Sequence, residues 1–138
     1  LDEIQAAMLN VKLNFLDQEN QHRRQIADLY LKEIKNPAIK LPLKNIEAKN
    51  YLQHVWHLFV IRTKHREALQ KYLTEHEVQT LIHYPIPPHK QHAYKEWNDL
   101  SLPISEQIHA EVLSLPIGPT LSIEDAKKVV QLCNGFKA

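Results

Sequence analysis

The 138-residue sequence is short of glycine and cysteine, and these shortages exclude several classes of protein. Its two glycines, Gly118 and Gly135, both lie late in the chain, so it has neither a dinucleotide-binding fingerprint nor a P-loop. The nucleophile elbow of serine hydrolases, which needs a glycine on each side of the serine, is excluded as well. The single cysteine, Cys133, can form neither an internal disulfide nor a cysteine-based zinc site. We expect Cys133 to be a small core residue.

The charges are also too balanced to indicate a polyanionic partner. Seventeen basic and 16 acidic residues are mixed along the chain and give a net charge of +1. This pattern provides no basic surface for nucleic acid or for an anionic membrane. No apolar run approaches the roughly 20 residues of a membrane-spanning helix, and no signal peptide is apparent. We therefore expect a cytoplasmic globular domain without nucleic-acid or membrane partners.

Helical spacing dominates the first 35 residues. Ile4, Met8, Val11 and Phe15 recur at the interval of one helix face. After a polar stretch, apolar residues resume at helical spacing, so residues 1–35 are predicted to form one long helix or two with a bend near Leu16. Because the pattern begins with the first residue, we expect the chain to be part of a longer protein.

Beyond Asn36-Pro37, the sequence predicts a loop over 37–50 and then alternating strands and helices. Predicted strands cover 54–62, 78–84 and about 112–117, with a possible short strand at 39–43. Predicted helices cover 64–76, 89–97, a segment that starts at 104 with Ser105 as its N-cap, and a last helix with Ser122 as its N-cap and Gly135 as its stop. The expected fold is α+β: a two-layer domain with a long N-terminal helix, about three short strands and several helices.

The nine histidines raise the question of a metal site. His54 and His57 point to opposite faces of a predicted strand, so they do not readily share a metal. His89 and His92 could share one on a helix, but no third ligand has the required spacing. We predict no metal site.

The segment "LIHYPIPPHKQHAY", residues 81–94, places three prolines beside three histidines. Proline fixes φ and favours an extended conformation in the residue before it, so the segment is predicted to be a stiff loop. His83 and Tyr84, at the entry to this loop, can each donate and accept hydrogen bonds, which suits a polyhydroxy ligand such as a sugar. The residues equally allow a Tyr84 packed under the loop and a His83 that faces solvent.

Five segments in order, "LDEIQAAMLNVKL", "NQHRRQIADLYLKEI", "HVWHLFVIR", "LIHYPIPPHKQHAY" and "EVLSLPIGPTLS", resemble the C-terminal part of the DegT-type sugar aminotransferases. These enzymes use pyridoxal phosphate (PLP) on nucleotide-linked keto-sugars. The proline-rich segment is most similar to the branch that acts on a dTDP-linked 3-keto-6-deoxyhexose.

The resemblance implies that residues 1–35 are connecting helices and that residues 36–138 are the small domain of a larger, homodimeric enzyme. Its Schiff-base lysine and other cofactor-binding residues would belong to an upstream large domain, so this chain alone is expected to bind no PLP and to be inactive. His83 and Tyr84 correspond to a loop that approaches the nucleotide-linked sugar in such enzymes, and His89 is a further candidate. The amino donor implied is glutamate.

Two other hypotheses remain open on the sequence alone. One is a stand-alone α+β module that binds a sugar or a protein without catalysis. The other is a histidine-rich metal-binding domain.

Overall fold

A computed structural model describes residues 2–43 and 54–138. Leu1 and residues 44–50, the second half of the loop predicted over 37–50, lie outside these ranges. Within them, the chain forms five α-helices, two β-strands and two short 3₁₀ segments. In order these are α1 (Glu3–Leu13), α2 (Leu16–Glu33), β1 (Phe59–Arg62), α3 (Arg66–Glu75), 3₁₀ turns at Pro88–Lys90 and His92–Trp97, α4 (Pro103–Glu111), β2 (Val112–Leu115) and α5 (Ile123–Gly135). No helix in the described ranges is long and apolar enough to cross a membrane.

The N-terminal 35 residues form two helices, with a break at Asn14 and Phe15 that confirms the predicted bend near Leu16. The two helices differ in burial. No residue of α1 is buried. In contrast, α2 buries Ile26, Ala27 and Tyr30, so α2 belongs to the domain core and α1 extends away from it.

The sheet is smaller than the sequence predicted. β1 and β2 pair antiparallel, from Phe59 opposite Leu115 to Arg62 opposite Val112. Single bridges continue the pairing on both sides, between Lys40 and Arg62 and between Leu81 and Ser114. The described residues therefore form two strands flanked by two isolated bridges, rather than three full strands.

Backbone conformation explains why the predicted strands are shortened. Leu43 and Trp56 have φ values of 58° and 53°, which lie in the left-handed region and interrupt an extended strand. The prediction over 54–62 is therefore correct only from Phe59. Just before the 78–84 segment, Glu77 also has a positive φ, 65°, and the Val78 N–H donates to the Leu73 carbonyl near the end of α3. Only Leu81 then pairs with the sheet.

One apolar core joins α2, the sheet, α3 and α5. The Tyr30 ring packs edge-on against Phe59 with ring centroids 5.0 Å apart, and its hydroxyl donates to the Pro116 carbonyl at 2.8 Å. Cys133 is fully buried, which confirms it as a core residue. Leu69 and Leu73 line the inner face of α3.

The predicted helix ends are partly correct. Ser122 is the N-cap of α5, and its Oγ accepts from the Asp125 backbone N–H at 3.0 Å. Ser105 is not the N-cap of α4, because that helix begins at Pro103, a residue that fits a first helical turn. Gly135 is the last residue of α5, and it does not have the positive φ expected of a helix stop. A Cβ at this position would lie 3.4 Å from the Tyr72 hydroxyl oxygen.

Two asparagines connect the ends of α2 and α5. Asn36 Nδ2 donates to the carbonyls of Cys133 and Phe136, both at 2.8 Å. Asn134 donates to the Glu33 carbonyl at 2.9 Å and accepts from the Lys35 N–H at 2.7 Å. Carbonyls at the C-terminal end of each helix, which lack partners within the helix, are thus satisfied by a side chain close to the other helix.

Candidate functional site

The proline-rich loop leaves the sheet immediately after the Leu81 bridge. His83 and Tyr84 come next, joined by a cis peptide bond. Pro87 then has the extended conformation expected before another proline, with φ −65° and ψ 150°, and a 3₁₀ turn follows at Pro88–Lys90. Between the Leu81 bridge and this turn the chain bends at His83, Pro85 and Ile86, so the predicted extended loop is only partly correct.

The His83 ring is anchored to the sheet. Its Nδ1 atom lies 2.9 Å from the Ser114 hydroxyl oxygen in β2. Ser114 is itself buried, with 5% of its surface exposed. The His83 ring also meets the Tyr84 ring edge-on, with centroids 5.5 Å apart and planes at 90°. The two candidate residues consequently lie side by side.

Tyr84 combines a fixed backbone with an exposed ring. Its carbonyl accepts a hydrogen bond from His109 Nδ1 in α4 at 2.6 Å. Because a carbonyl can only accept, Nδ1 must carry the proton of the His109 ring. Tyr84 is 67% exposed, which leaves its ring open to a ligand or to another part of a larger protein.

His89 is placed differently from the other two candidates. It is 3% exposed, and its Nε2 lies 2.9 Å from Glu106 Oε1. Its backbone carbonyl accepts from Asn98 Nδ2 at 2.8 Å. The hydrogen bond with His89 is the main reason that the pKa of Glu106 is lowered, and the Leu102 N–H contributes as well. His89 thus ties the 3₁₀ turn to the start of α4.

The sequence analysis missed three residues that hold this loop: Ser114, His109 and Glu106. Each acts from a segment that lies between 17 and 31 residues away along the chain. Nothing in the local pattern singles out Ser114, since a serine inside a strand is common. Only knowledge of which distant residues are in contact could have identified these three residues.

Two concave surfaces lie near the loop. An apolar groove of about 530 Å³ is formed by Leu102, Pro103, Ile104, Ile108 and His109, and His109 connects it to Tyr84. A larger cleft, about 740 Å³, lies along Thr80, Leu81 and α5, with neither His83 nor Tyr84 in its wall. The larger cleft is therefore not the site that the loop forms.

The other histidine pairs form no metal centre. His54 Nδ1 accepts from the Trp56 N–H at 2.9 Å, and His89 is bound to Glu106. In the ranges that the structure describes, no group of three or more His, Cys, Asp or Glu residues could hold a metal ion.

Comparison with known proteins identifies the family. A sequence model of the DegT/DnrJ/EryC1/StrS aminotransferase family matches residues 1–134. The chain belongs to this family. It is 58% identical, over 99% of its length, to the dTDP-3-amino-3,6-dideoxy-alpha-D-galactopyranose transaminase of Aneurinibacillus thermoaerophilus. It is 47% identical over 94% of its length to the erythromycin biosynthesis sensory transduction protein EryC1 of Saccharopolyspora erythraea.

The chain spans about a third of the length of these two relatives, 36% and 35% respectively. Solved structures agree in fold and coverage. Streptomyces venezuelae DesV, in complex with a ketimine intermediate, superposes with a TM-score of 0.87 at 38% identity. The match covers 97% of this chain and 36% of DesV. An aminotransferase of the family from Brucella abortus gives a TM-score of 0.85 at 34% identity over 98% of this chain and 35% of that chain.

Aminotransferases of this family depend on PLP, and NtdA of Bacillus subtilis has been solved with the bound cofactor PMP. Every lysine in the described ranges is exposed, whereas a Schiff-base lysine requires a desolvated or charged pocket that activates its amine. Lys90, the lysine nearest in sequence to the candidate site, donates to the carbonyls of Asn98 and Leu100 at 2.6 and 3.0 Å.

Proposed function

We propose that this chain is the C-terminal domain of a PLP-dependent aminotransferase that acts on a nucleotide-linked keto-deoxysugar. The main support for this proposal is the 58% identity, over 99% of the chain, to a transaminase of which the chain matches only 36% of the length. In this proposal residues 1–35 connect to an upstream large domain, and residues 36–138 form the small domain. The two-layer arrangement predicted for the small domain is part of the same proposal.

The contribution of this domain would be to bind and orient the sugar. PLP, when bound, supplies the electron sink, and the protein provides position and electrostatics. The exposed lysines favour placing the Schiff-base lysine in the upstream domain, so the chain alone would be inactive and would bind no cofactor. We also propose that the full enzyme is a homodimer, as the resemblance implies.

His83 and Tyr84 are the residues we propose as sugar contacts. The Tyr84 hydroxyl can both donate to and accept from a sugar hydroxyl, and its ring is exposed while its backbone is held by His109. A preorganised loop loses little conformational entropy when it binds a ligand. For His89 the buried ring and the Glu106 contact favour a supporting role, so we assign it to the loop's anchorage rather than to the sugar itself.

A chimera tests this function. The segment of the A. thermoaerophilus transaminase that matches this chain is replaced by the chain itself, and the purified protein is loaded with PLP. The chimera should transfer an amino group from dTDP-3-amino-3,6-dideoxygalactose to 2-oxoglutarate. A stand-alone binding module would not restore this transfer when placed in the enzyme, so a folded but inactive chimera would contradict the proposal.

Half-reactions then test the residues. Tyr84→Phe should slow the half-reaction with the amino-sugar about fivefold, because one neutral hydrogen bond is lost. It should leave the half-reaction with glutamate unchanged. His83→Ala should have the same or a larger effect. Tyr94→Phe and His57→Ala, at exposed positions away from this pair, are the matched controls. Equal slowing of both half-reactions would instead assign the loop to the cofactor or to the fold.

A further inference from the structure

We propose that Ser114 is a positioning residue that sets the orientation of the His83 ring for the sugar. This inference rests on the proposed function, since it concerns how one of the proposed sugar contacts is held. The starting observation is the 2.9 Å contact between Ser114 Oγ and His83 Nδ1. Among the residues that the structure describes, no other hydrogen bond to the His83 ring is present, so Nε2 is the ring nitrogen left to meet a ligand.

Ser114 is itself held firmly. It lies in β2 between Leu113 and Leu115, which are both buried. Its N–H donates to the Leu81 carbonyl at 2.8 Å, and its carbonyl accepts from the Leu81 N–H at 3.3 Å. The Ser114 hydroxyl is therefore fixed relative to the sheet. Its contact with the His83 ring holds that ring in a fixed position relative to the core.

A hydroxyl is well suited to this role because it can both donate and accept. If the His83 Nδ1 atom carries a proton, it donates to the Ser114 oxygen. If Nδ1 is unprotonated, it accepts the Ser114 proton instead. Ser114 can thus hold the ring in one orientation while Nε2 is either a donor or an acceptor. The carbonyl of Tyr84, in contrast, allows His109 only one tautomer.

The same stretch of chain fixes the neighbouring residue. His109 is five positions before Ser114, at the end of α4, and holds the Tyr84 carbonyl at 2.6 Å. Glu111, between them in sequence, accepts from Arg62 Nε and Nη2 at 3.1 and 2.8 Å and so ties the α4–β2 junction to β1. His83 and Tyr84 are consequently positioned by one rigid unit, which preserves their mutual geometry.

Ring-nitrogen NMR on the 138-residue chain tests the contact without any activity measurement. In Ser114→Ala, the Nδ1 shift of His83 should move toward that of an exposed histidine, while the shifts of His57 and His76 stay in place. Ser114→Thr keeps the hydroxyl and should return the His83 shift toward its original value. Ser101→Ala, which removes an exposed hydroxyl, is the control and should change nothing. Unchanged His83 shifts in Ser114→Ala, or equal displacement in the Ala and Thr variants, would overturn the inference.

A double-mutant cycle in the chimera tests the consequence for the reaction. Ser114→Ala should lower kcat/KM for the amino-sugar about three- to tenfold and leave the glutamate half-reaction unchanged. In the His83→Ala background, Ser114→Ala should have no further effect, because the ring that it orients is gone. A purely structural serine would give additive losses.

The outcomes separate the two proposals. If His83→Ala slows the sugar half-reaction but Ser114→Ala is neutral or additive, the positioning role is wrong and the proposed function stands. If the folded chimera does not use the amino-sugar at all, the proposed function fails, and this inference fails with it.

Discussion

Glu106 and His89 meet at 2.9 Å between Oε1 and Nε2, and the same carboxylate oxygen accepts from the Leu102 N–H at 3.0 Å. One carboxylate thereby connects the 3₁₀ turn after the proline-rich loop to the residue before α4. The hydrogen bond from His89, followed by that from Leu102, lowers the pKa of Glu106 below its ordinary value of 4.5.

This lowered pKa predicts a stability difference that depends on pH. A carboxyl group whose pKa falls on folding stabilises the fold above its unfolded pKa, and the stabilisation is lost as the pH falls through the folded value. Glu106→Gln should therefore have a lower Tm than the parent chain at pH 7, and the two Tm values should converge as the pH falls below about 4.5. Thermal denaturation from pH 7 to pH 3 measures this.

Glu96→Gln is the matched control, since Glu96 is exposed in the second 3₁₀ segment. The pKa of Glu111 is also lowered, chiefly by Gln107 and Arg62, so the parent chain loses stability in acid for more than one reason. The difference in Tm between the parent chain and Glu106→Gln is therefore the quantity that tests the role of Glu106. A Tm difference that stays constant from pH 7 to pH 3 would contradict a stabilising role of the ionised Glu106 carboxylate.

Tyr30→Phe should destabilise the chain although the ring is retained. The Tyr30 side chain is fully buried, burial raises its pKa, and its hydroxyl satisfies the Pro116 carbonyl. Removing the hydroxyl should lower the free energy of unfolding by about 1 kcal/mol, and by more if the carbonyl stays unpaired. Urea denaturation gives the value. Tyr94→Phe, at an exposed ring, should be close to neutral, and equal effects of the two substitutions would refute this account.

Cys133 should resist alkylation until the chain unfolds. It is fully buried, and burial raises the pKa of its thiol to about 12. Since the thiolate is the reactive form, iodoacetamide at pH 8 should label the folded chain far more slowly than the chain in denaturant. Mass spectrometry over time measures both rates. Similar rates in the two conditions would show that α5 opens readily.

The exposed apolar residues of α1 and of the break that follows it should make the isolated chain self-associate or bind a hydrophobic dye. Ile4, Met8, Val11 and Phe15 are between 53% and 76% exposed, and an apolar surface of this kind marks an interaction site. Replacing Ile4, Met8 and Val11 by glutamine should reduce dye fluorescence and the sedimentation coefficient. Asn10→Gln is the control on the same helix. A monomeric parent chain that binds no dye would be the contrary result.

The helices were more predictable than the sheet because helical contacts are local. The apolar spacing that defines α2 and α3 can be read from adjacent turns, and the Ser122 cap needs only the three residues after it. Strand pairing depends on distant partners, and the left-handed residues Leu43 and Trp56, which shorten the predicted strands, have no reliable sequence signal. The sequence therefore indicated the approximate positions of the strands. It did not indicate that only short parts of the predicted segments would form strand pairs.

In the candidate site, too, local features could be predicted from the sequence and long-range contacts could not. The stiffness of the loop follows from its prolines, and the adjacency of His83 and Tyr84 is a matter of sequence. The His83 ring contacts Ser114, 31 residues away, and the His89 ring contacts Glu106, 17 residues away. These contacts exist only after α4 and β2 have packed.

The paired asparagines at the ends of α2 and α5 have a kinetic consequence. Their hydrogen bonds join residues separated by 97 to 101 positions. The helices can form within their own turns, but these bonds require a loop of about a hundred residues to close first, at an entropic cost that local contacts do not carry. The slowest event in assembling this domain should therefore be the meeting of two helix ends that are each already formed.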